Sequence, residues 1–253
     1  MHGHGQRSAH AAISWRSGER MSEIHGTGED RAAAERGRLR AHPDAATPGA
    51  PQAAGLQAIG LGGQRDGLLL VPEAVAEGAL PLIVMLHGAG GDAAGALELI
   101  RDAAPGVLIL APESRGRSWD VILGAYGPDV AFLDAALHAV FARHRVDRRR
   151  VALAGFSDGA SYALSLALGN GDLITHAIAF SPGFVAPPEP VGRPILFVSH
   201  GVADRVLPIE ACSRRLVPRL RAGGYTVHYR EFPDGHVVPA WVAREAVDLL
   251  AKG

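Results

Sequence analysis

From residue 56 onward, short and wholly apolar runs alternate with longer amphipathic segments, and few folds accommodate that alternation. The runs at 82–86, 107–111, 151–154 and 177–180 are continuously hydrophobic, as strands covered on both faces are. Further strands are predicted at 56–61, 68–71, 195–199 and 227–232. Helical spacing fills the intervals 92–103, 128–144, 159–168, 208–222 and 239–252. In the second of these, Phe132, Leu133, Ala136, Leu137, Val140 and Phe141 recur at steps of three and four, one stripe facing a sheet. Pro208 and Pro239 suit first-turn positions, where a missing amide hydrogen costs nothing. The expectation is an α/β domain with a central, mostly parallel sheet flanked by helices, over residues 56–253.

Before residue 56 the texture is different. Only six residues of the first 55 are Met, Ile, Leu, Val, Phe, Trp or Tyr, too few to offset ordering entropy, so 1–55 reads as a disordered tail in which Met21 is an alternative start. His2 and His4 in that tail read as incidental, and no metal is assigned. Charge narrows the partners: 25 Lys and Arg against 26 Asp and Glu leave no positive excess to attract phosphates, which disfavours a nucleic-acid binder. Cys212 is the only cysteine, excluding an intrachain disulfide and cysteine-built zinc or iron-sulfur centres. With no secretory leader and no run approaching the ~18 apolar residues of a membrane span, the expected setting is cytoplasmic.

The sharpest local signal is Gly155, Phe156, Ser157, Asp158, Gly159, set between an apolar strand and a helical stretch. A serine held on so tight a turn needs small neighbours, because the backbone is strained and its flanking elements approach closely. A hydroxyl also needs a base, and the base a carboxylate to orient it. Asp204 follows the strand ending near Ser199, and His236 follows the last strand, so both belong to the carboxyl edge of the sheet where open α/β folds collect their ligands. Asp234 precedes glycine as a turn former does, and His176, His200 and His228 lie within or at the ends of strands, where packing or a backbone hydrogen bond suffices. Ser157, His236 and Asp204 are therefore the candidate nucleophile, base and acid.

Acyl transfer further requires fixed donors for the developing oxyanion. The loop His87, Gly88, Ala89, Gly90, Gly91 follows an apolar strand, so the Asp158 amide and that of either Ala89 or Gly90 are the candidates. A phosphate-cradling reading of this loop lacks the terminal Lys and Ser/Thr.

Together the 87–91 loop, the Ser157 turn, the 200–204 loop and His236 resemble the α/β-hydrolase superfamily, most nearly its phospholipase/carboxylesterase group and the polyhydroxybutyrate-depolymerase-like esterases. The resemblance covers about residues 56–252 and implies a sheet of about eight strands whose second is antiparallel. It departs at Asp158, where better-known carboxylesterases commonly carry Gln, and at Ala89, where a larger apolar residue is common. Residues 181–193 are too few to hold a cap domain, which points to a shallow site for short or medium acyl groups. Trp119, Tyr126 and Phe184 are the candidate walls of an acyl pocket, while Asp120 and Asp129 read as turn or capping groups. The expected activity is a serine hydrolase cleaving small-molecule carboxylic esters without a cofactor. Thioester or amide hydrolysis by the same groups, and a non-catalytic binding module of this fold, are the alternatives.

Overall fold

The computed structural model describes residues 28–43, 53–63, 65–73 and 78–252. Its eight strands are β1 (Gly55–Ala58), β2 (Gly67–Val71), β3 (Leu80–Leu86), β4 (Leu108–Pro112), β5 (Val146–Phe156), β6 (His176–Phe180), β7 (Ile195–Gly201) and β8 (Val227–Phe232). They form one sheet in the order β1-β2-β4-β3-β5-β6-β7-β8. β2 runs antiparallel to both β1 and β4, and every other pairing is parallel, as expected.

Strand periodicity divides the core in two. Leu82, Val84 and Leu86 of β3, with Val151 and Leu153 of β5, face α4 (Pro128–Arg143) and α5 (Asp158–Leu168). Ile83 and Met85, with Ala152 and Ala154, face α2 (Ala93–Glu98) and α7 (Ala240–Ala251) on the opposite side. Two-sided burial is why the stretches 82–86 and 151–154 of these strands carry no polar residues. α6 (Ser213–Ala222) adds Val217 and Leu220 to the first layer, and the four-residue α3 (Asp120–Leu123) lies in the link after β4. The helix predicted over 92–103 breaks after Glu98 into a 3₁₀ turn, Arg101–Ala103. Neither proline named for a first turn sits there: Pro239 is the N-cap of α7 and Pro208 lies in a turn ahead of α6, while Pro128 takes the first position of α4. Between β6 and β7, residues 181–194 hold neither helix nor strand.

Residues 28–43 correct the expectation of a disordered tail. α1 (Gly28–Glu35) and the segment after it bury Ala33, Ala34, Leu39 and Ala41 against the α4 and α5 layer. The Asn170 carboxamide accepts from the Leu39 amide (2.8 Å) and donates to the Gly37 carbonyl (2.9 Å), and Asp134 accepts from the amides of Arg40 (2.7 Å) and Ala41 (2.8 Å). A count of large apolar residues misses a segment held by alanines and by side chains that satisfy its backbone. Residues 1–27 and 44–52, with Met21, His2 and His4, lie outside the described residues. A chain beginning at Ala50 is expected to lose about 3–5 kcal/mol of stability through exposed apolar surface and unpaired buried groups. A thermal melt should then fall by roughly 10 °C, and an unchanged midpoint would show that the segment contributes nothing.

Candidate active site

β5 passes into α5 through Ser157 alone, whose φ of 57° and ψ of −119° lie in a region L-residues rarely occupy. The surroundings hold it there. The Ser157 amide donates to the Phe180 carbonyl on β6 (3.0 Å), and its own carbonyl accepts from the Ala160 and Ser161 amides. A Cβ at Gly155 would lie 2.2 Å from the Gly159 carbonyl oxygen, and one at Gly159 would lie 2.4 Å from that of Leu86, so neither position admits a side chain.

The loops after β7 and β8 complete the arrangement. Asp204 sits in a turn where Oδ1 accepts from the Val206 and Leu207 amides, each at 2.9 Å. Its Oδ2 lies 2.6 Å from His236 Nδ1, and His236 Nε2 lies 2.9 Å from Ser157 Oγ. Because a carboxylate only accepts, Nδ1 carries the proton of the neutral imidazole and Nε2 is the acceptor for the serine hydroxyl. Burial alone would raise the Asp204 carboxyl, but the hydrogen bonds from the Leu207 amide, His236 and the Val206 amide outweigh it and hold the group ionised below its usual range. The Phe156 ring packs on His236 with centroids 4.6 Å apart. A Cβ at Gly201 would meet the carbonyl oxygens of Gly235 and Asp234 at 2.2 and 2.3 Å, so the two loops lie backbone on backbone. Asp234 contributes its carbonyl to the Ala203 amide, while its exposed carboxylate takes no hydrogen bond among the described residues.

The loop after β3 treats the candidate amides differently. The Gly90 amide donates to the Arg117 carbonyl (2.8 Å), whereas those of Ala89 and Asp158 have no acceptor among the described residues. Gly90 is thus corrected: its hydrogen is committed elsewhere. His87 braces this loop. Its Nδ1 lies 2.7 Å from the Gly88 carbonyl and its Nε2 accepts from the Ser114 amide (3.1 Å), which fixes the neutral tautomer, and burial pushes the imidazole pKa down.

Trp119 is likewise corrected. It is fully buried, stacks on Tyr162 at 5.2 Å and donates through Nε1 to the His87 carbonyl (2.9 Å), so it supports the 87–91 loop from the core instead of lining a pocket. Tyr126 is half-buried, with its hydroxyl donating to the Ala186 carbonyl (2.8 Å). Phe184, also half-buried, lies in the 181–194 link, which α5 holds down: Ser161 Oγ accepts from the Gly183 amide and Ser165 Oγ from the Ala186 amide, each at 2.9 Å. Those two serines, one helical turn apart and just beyond the nucleophile position, went unread in the sequence.

A cleft of about 340 Å3 opens beside the site, lined in part by Arg115, Ser118, Asp120, Leu123 and Asp129. Ser118 joins it to the centre, donating to Asp158 Oδ2 at 2.6 Å. Asp120 and Asp129 act as turn and cap groups, each carboxylate accepting from the other residue's amide (2.7 and 2.9 Å). Burial raises both carboxyls, Asp129 to about 6. Among the described residues, no group of three or more His, Cys, Asp and Glu is placed to hold a metal ion, and no helix is long and apolar enough to cross a membrane.

Three comparisons bear on this geometry. Residues 66–186 match the family model described as esterase PHB depolymerase, a stretch that includes the 87–91 loop and Ser157 and ends before Asp204 and His236. No curated protein matches the chain. Among solved structures, esterase PE8 is similar at 27% identity over 74% of this chain and 97% of its own, with a TM-score of 0.60. A carboxylesterase from Mesorhizobium loti (22% identity, 75% and 95% covered, TM-score 0.61) shares the fold. So does a ferulic acid esterase from Anaeromyces mucronatus (18%, 72% and 84%, 0.53). The chain has the α/β-hydrolase fold. Its matched stretch, just under half of the chain, is similar to the polyhydroxybutyrate-depolymerase esterases, and with the likeness to esterase PE8 this supports an enzyme of the carboxylic ester hydrolase class.

Proposed function

We propose that the protein hydrolyses carboxylic esters through an acyl-enzyme on Ser157. The observation that carries this reading is the unbroken line of contacts from Ser157 Oγ to His236 Nε2 and from His236 Nδ1 to Asp204 Oδ2, on a serine held in a strained turn. His236 takes the hydroxyl proton as Oγ attacks the ester carbonyl, and Asp204 stabilises the imidazolium that forms. The Ala89 and Asp158 amides are the donors for the developing oxyanion, fixed in place before reaction and so needing no reorganisation. His236 returns the proton to the leaving alcohol, then activates water to release the acid. In this cycle Ser157, His236, Asp204 and the two amides supply every group the acyl-transfer steps call for. The lone cysteine supports a reducing, cytoplasmic setting.

The test is turnover of p-nitrophenyl esters and matched acyl thioesters by the purified protein. Ester turnover should show a burst of p-nitrophenol, and kcat/KM should fall beyond about eight acyl carbons, since further methylenes find little surface to bury against, each otherwise worth ~0.8 kcal/mol. Turnover of thioesters alone would overturn the reading as an esterase.

A further inference from the structure

The mechanism above leaves out a second imidazole that touches its acid. His200, near the end of β7, is fully buried, as is Ser213 at the start of α6. The chain leaves β7 at Gly201, turns through Asp204 and comes back, so that the Leu207 carbonyl lies 2.7 Å from His200 Nε2. The same nitrogen is 3.3 Å from Asp204 Oδ2, the oxygen that receives His236. Both neighbours of Nε2 only accept, so Nε2 bears a hydrogen; a bare nitrogen would bring three lone pairs together in a dry site. On the far side Nδ1 is 2.7 Å from Ser213 Oγ, whose hydroxyl donates to it. Each nitrogen of the neutral ring is therefore satisfied. Burial holds the imidazole pKa below its ordinary value, which keeps the ring from charging beside Asp204.

We infer that His200 is a positioning residue for Asp204: its Nε2–H pins the returning Leu207 carbonyl and faces the acid's outer oxygen, fixing the carboxylate that His236 must find. This rests on the proposed roles of Ser157, His236 and Asp204. The turn explains what the ring adds. The Val206 and Leu207 amides hold Oδ1, but both belong to the outer turn of the loop, where Val206 is 66% exposed. Tying the Leu207 carbonyl to a side chain on β7, which is paired on both sides, fastens that turn to the sheet. A neutral donor does this without offering Asp204 a competing cation, so the full carboxylate charge stays available to the His236 imidazolium.

Glutamine and asparagine separate this role from mere packing. A Gln amide reaches about where Nε2–H stands, whereas an Asn amide reaches only the Nδ1 side. His200→Asn is expected to lower kcat by about 10- to 100-fold with KM within about twofold, and His200→Gln to stay within about threefold of the parent protein. The far-downfield proton signal of the His236–Asp204 hydrogen bond should shift or broaden in His200→Asn and persist in His200→Gln. Equal impairment of both variants at equal melting temperature, or parent-like kcat and proton signal in His200→Asn, would overturn the inference. If His200→Asn does not fold, Ser213→Ala serves in its place: a smaller loss of kcat in the same direction supports the role, and unchanged kcat and signal refute it. Should the parent protein cleave no ester, the proposed reaction fails, and the proton signal alone still decides the place of His200.

Discussion

Ser157→Ala is expected to remove ester turnover almost entirely, with kcat falling by about 10⁶-fold, while the melting curve stays within about 1 kcal/mol of the parent. The change deletes one hydroxyl on a half-buried residue whose partner, His236, is itself partly exposed, so no fully buried side chain loses its partner. Alanine keeps the strained backbone, because Gly155 and Gly159 and the bond to Phe180 still define the turn. A fluorophosphonate should label the parent protein once, at Ser157, since the reagent needs the same activated oxygen and the same amide donors as an ester. Intact-mass and peptide mapping read the result. Ser181 and Ser199 are buried, so stoichiometric labelling at either would refute the assignment. His236→Ala should suppress labelling as well, and combining it with Ser157→Ala should add little, as for residues acting as a unit.

The second large effect separates two aspartates. In Asp204→Asn the amides of Val206 and Leu207 both still require an acceptor, which commits the side-chain oxygen to them and turns the NH2 group toward His236. Two donors then face each other. His236 relieves the clash by moving its proton to Nε2, and that nitrogen no longer accepts from Ser157, so kcat should drop by about 10⁴-fold with the fold retained. Asp234→Asn should change kcat by less than about twofold, because only its carbonyl is engaged. Steady-state kinetics with paired melts decide the matter, and a reversed order of effects would remove Asp204 from the acid role.

That Ser157, Asp204 and His236 meet is legible in the sequence because each ends a run whose placement in the sheet is dictated by hydrophobicity. The continuous runs at 82–86 and 151–154 similarly announce two-sided burial. What stayed hidden depends on returns of the chain that no local pattern encodes. His200 reads as a strand-end residue until the loop doubles back and sets the Leu207 carbonyl on it. Gly90 and Ala89 look equivalent until Arg117, from another loop, takes the Gly90 amide. Trp119 resembles a pocket wall because an aromatic in a loop has no visible inside or outside; its indole points to His87. The segment 28–43 went unread because Asn170 and Asp134, far along the chain, supply the partners its backbone needs.

The backbone contacts at Gly155, Gly159 and Gly201 divide the molecule into parts that can vary and parts that cannot. At these three positions a single methyl group would strike main-chain atoms, so the framework carrying the nucleophile, acid and base tolerates almost no drift in its spacing. Freedom to change lies instead in the cleft residues around 115–129 and the link at 182–188, where Leu123 stands two-thirds exposed and Phe184 half-exposed. Selection for a new ester, natural or in a library, should accumulate its substitutions in those two loops and leave the glycines untouched.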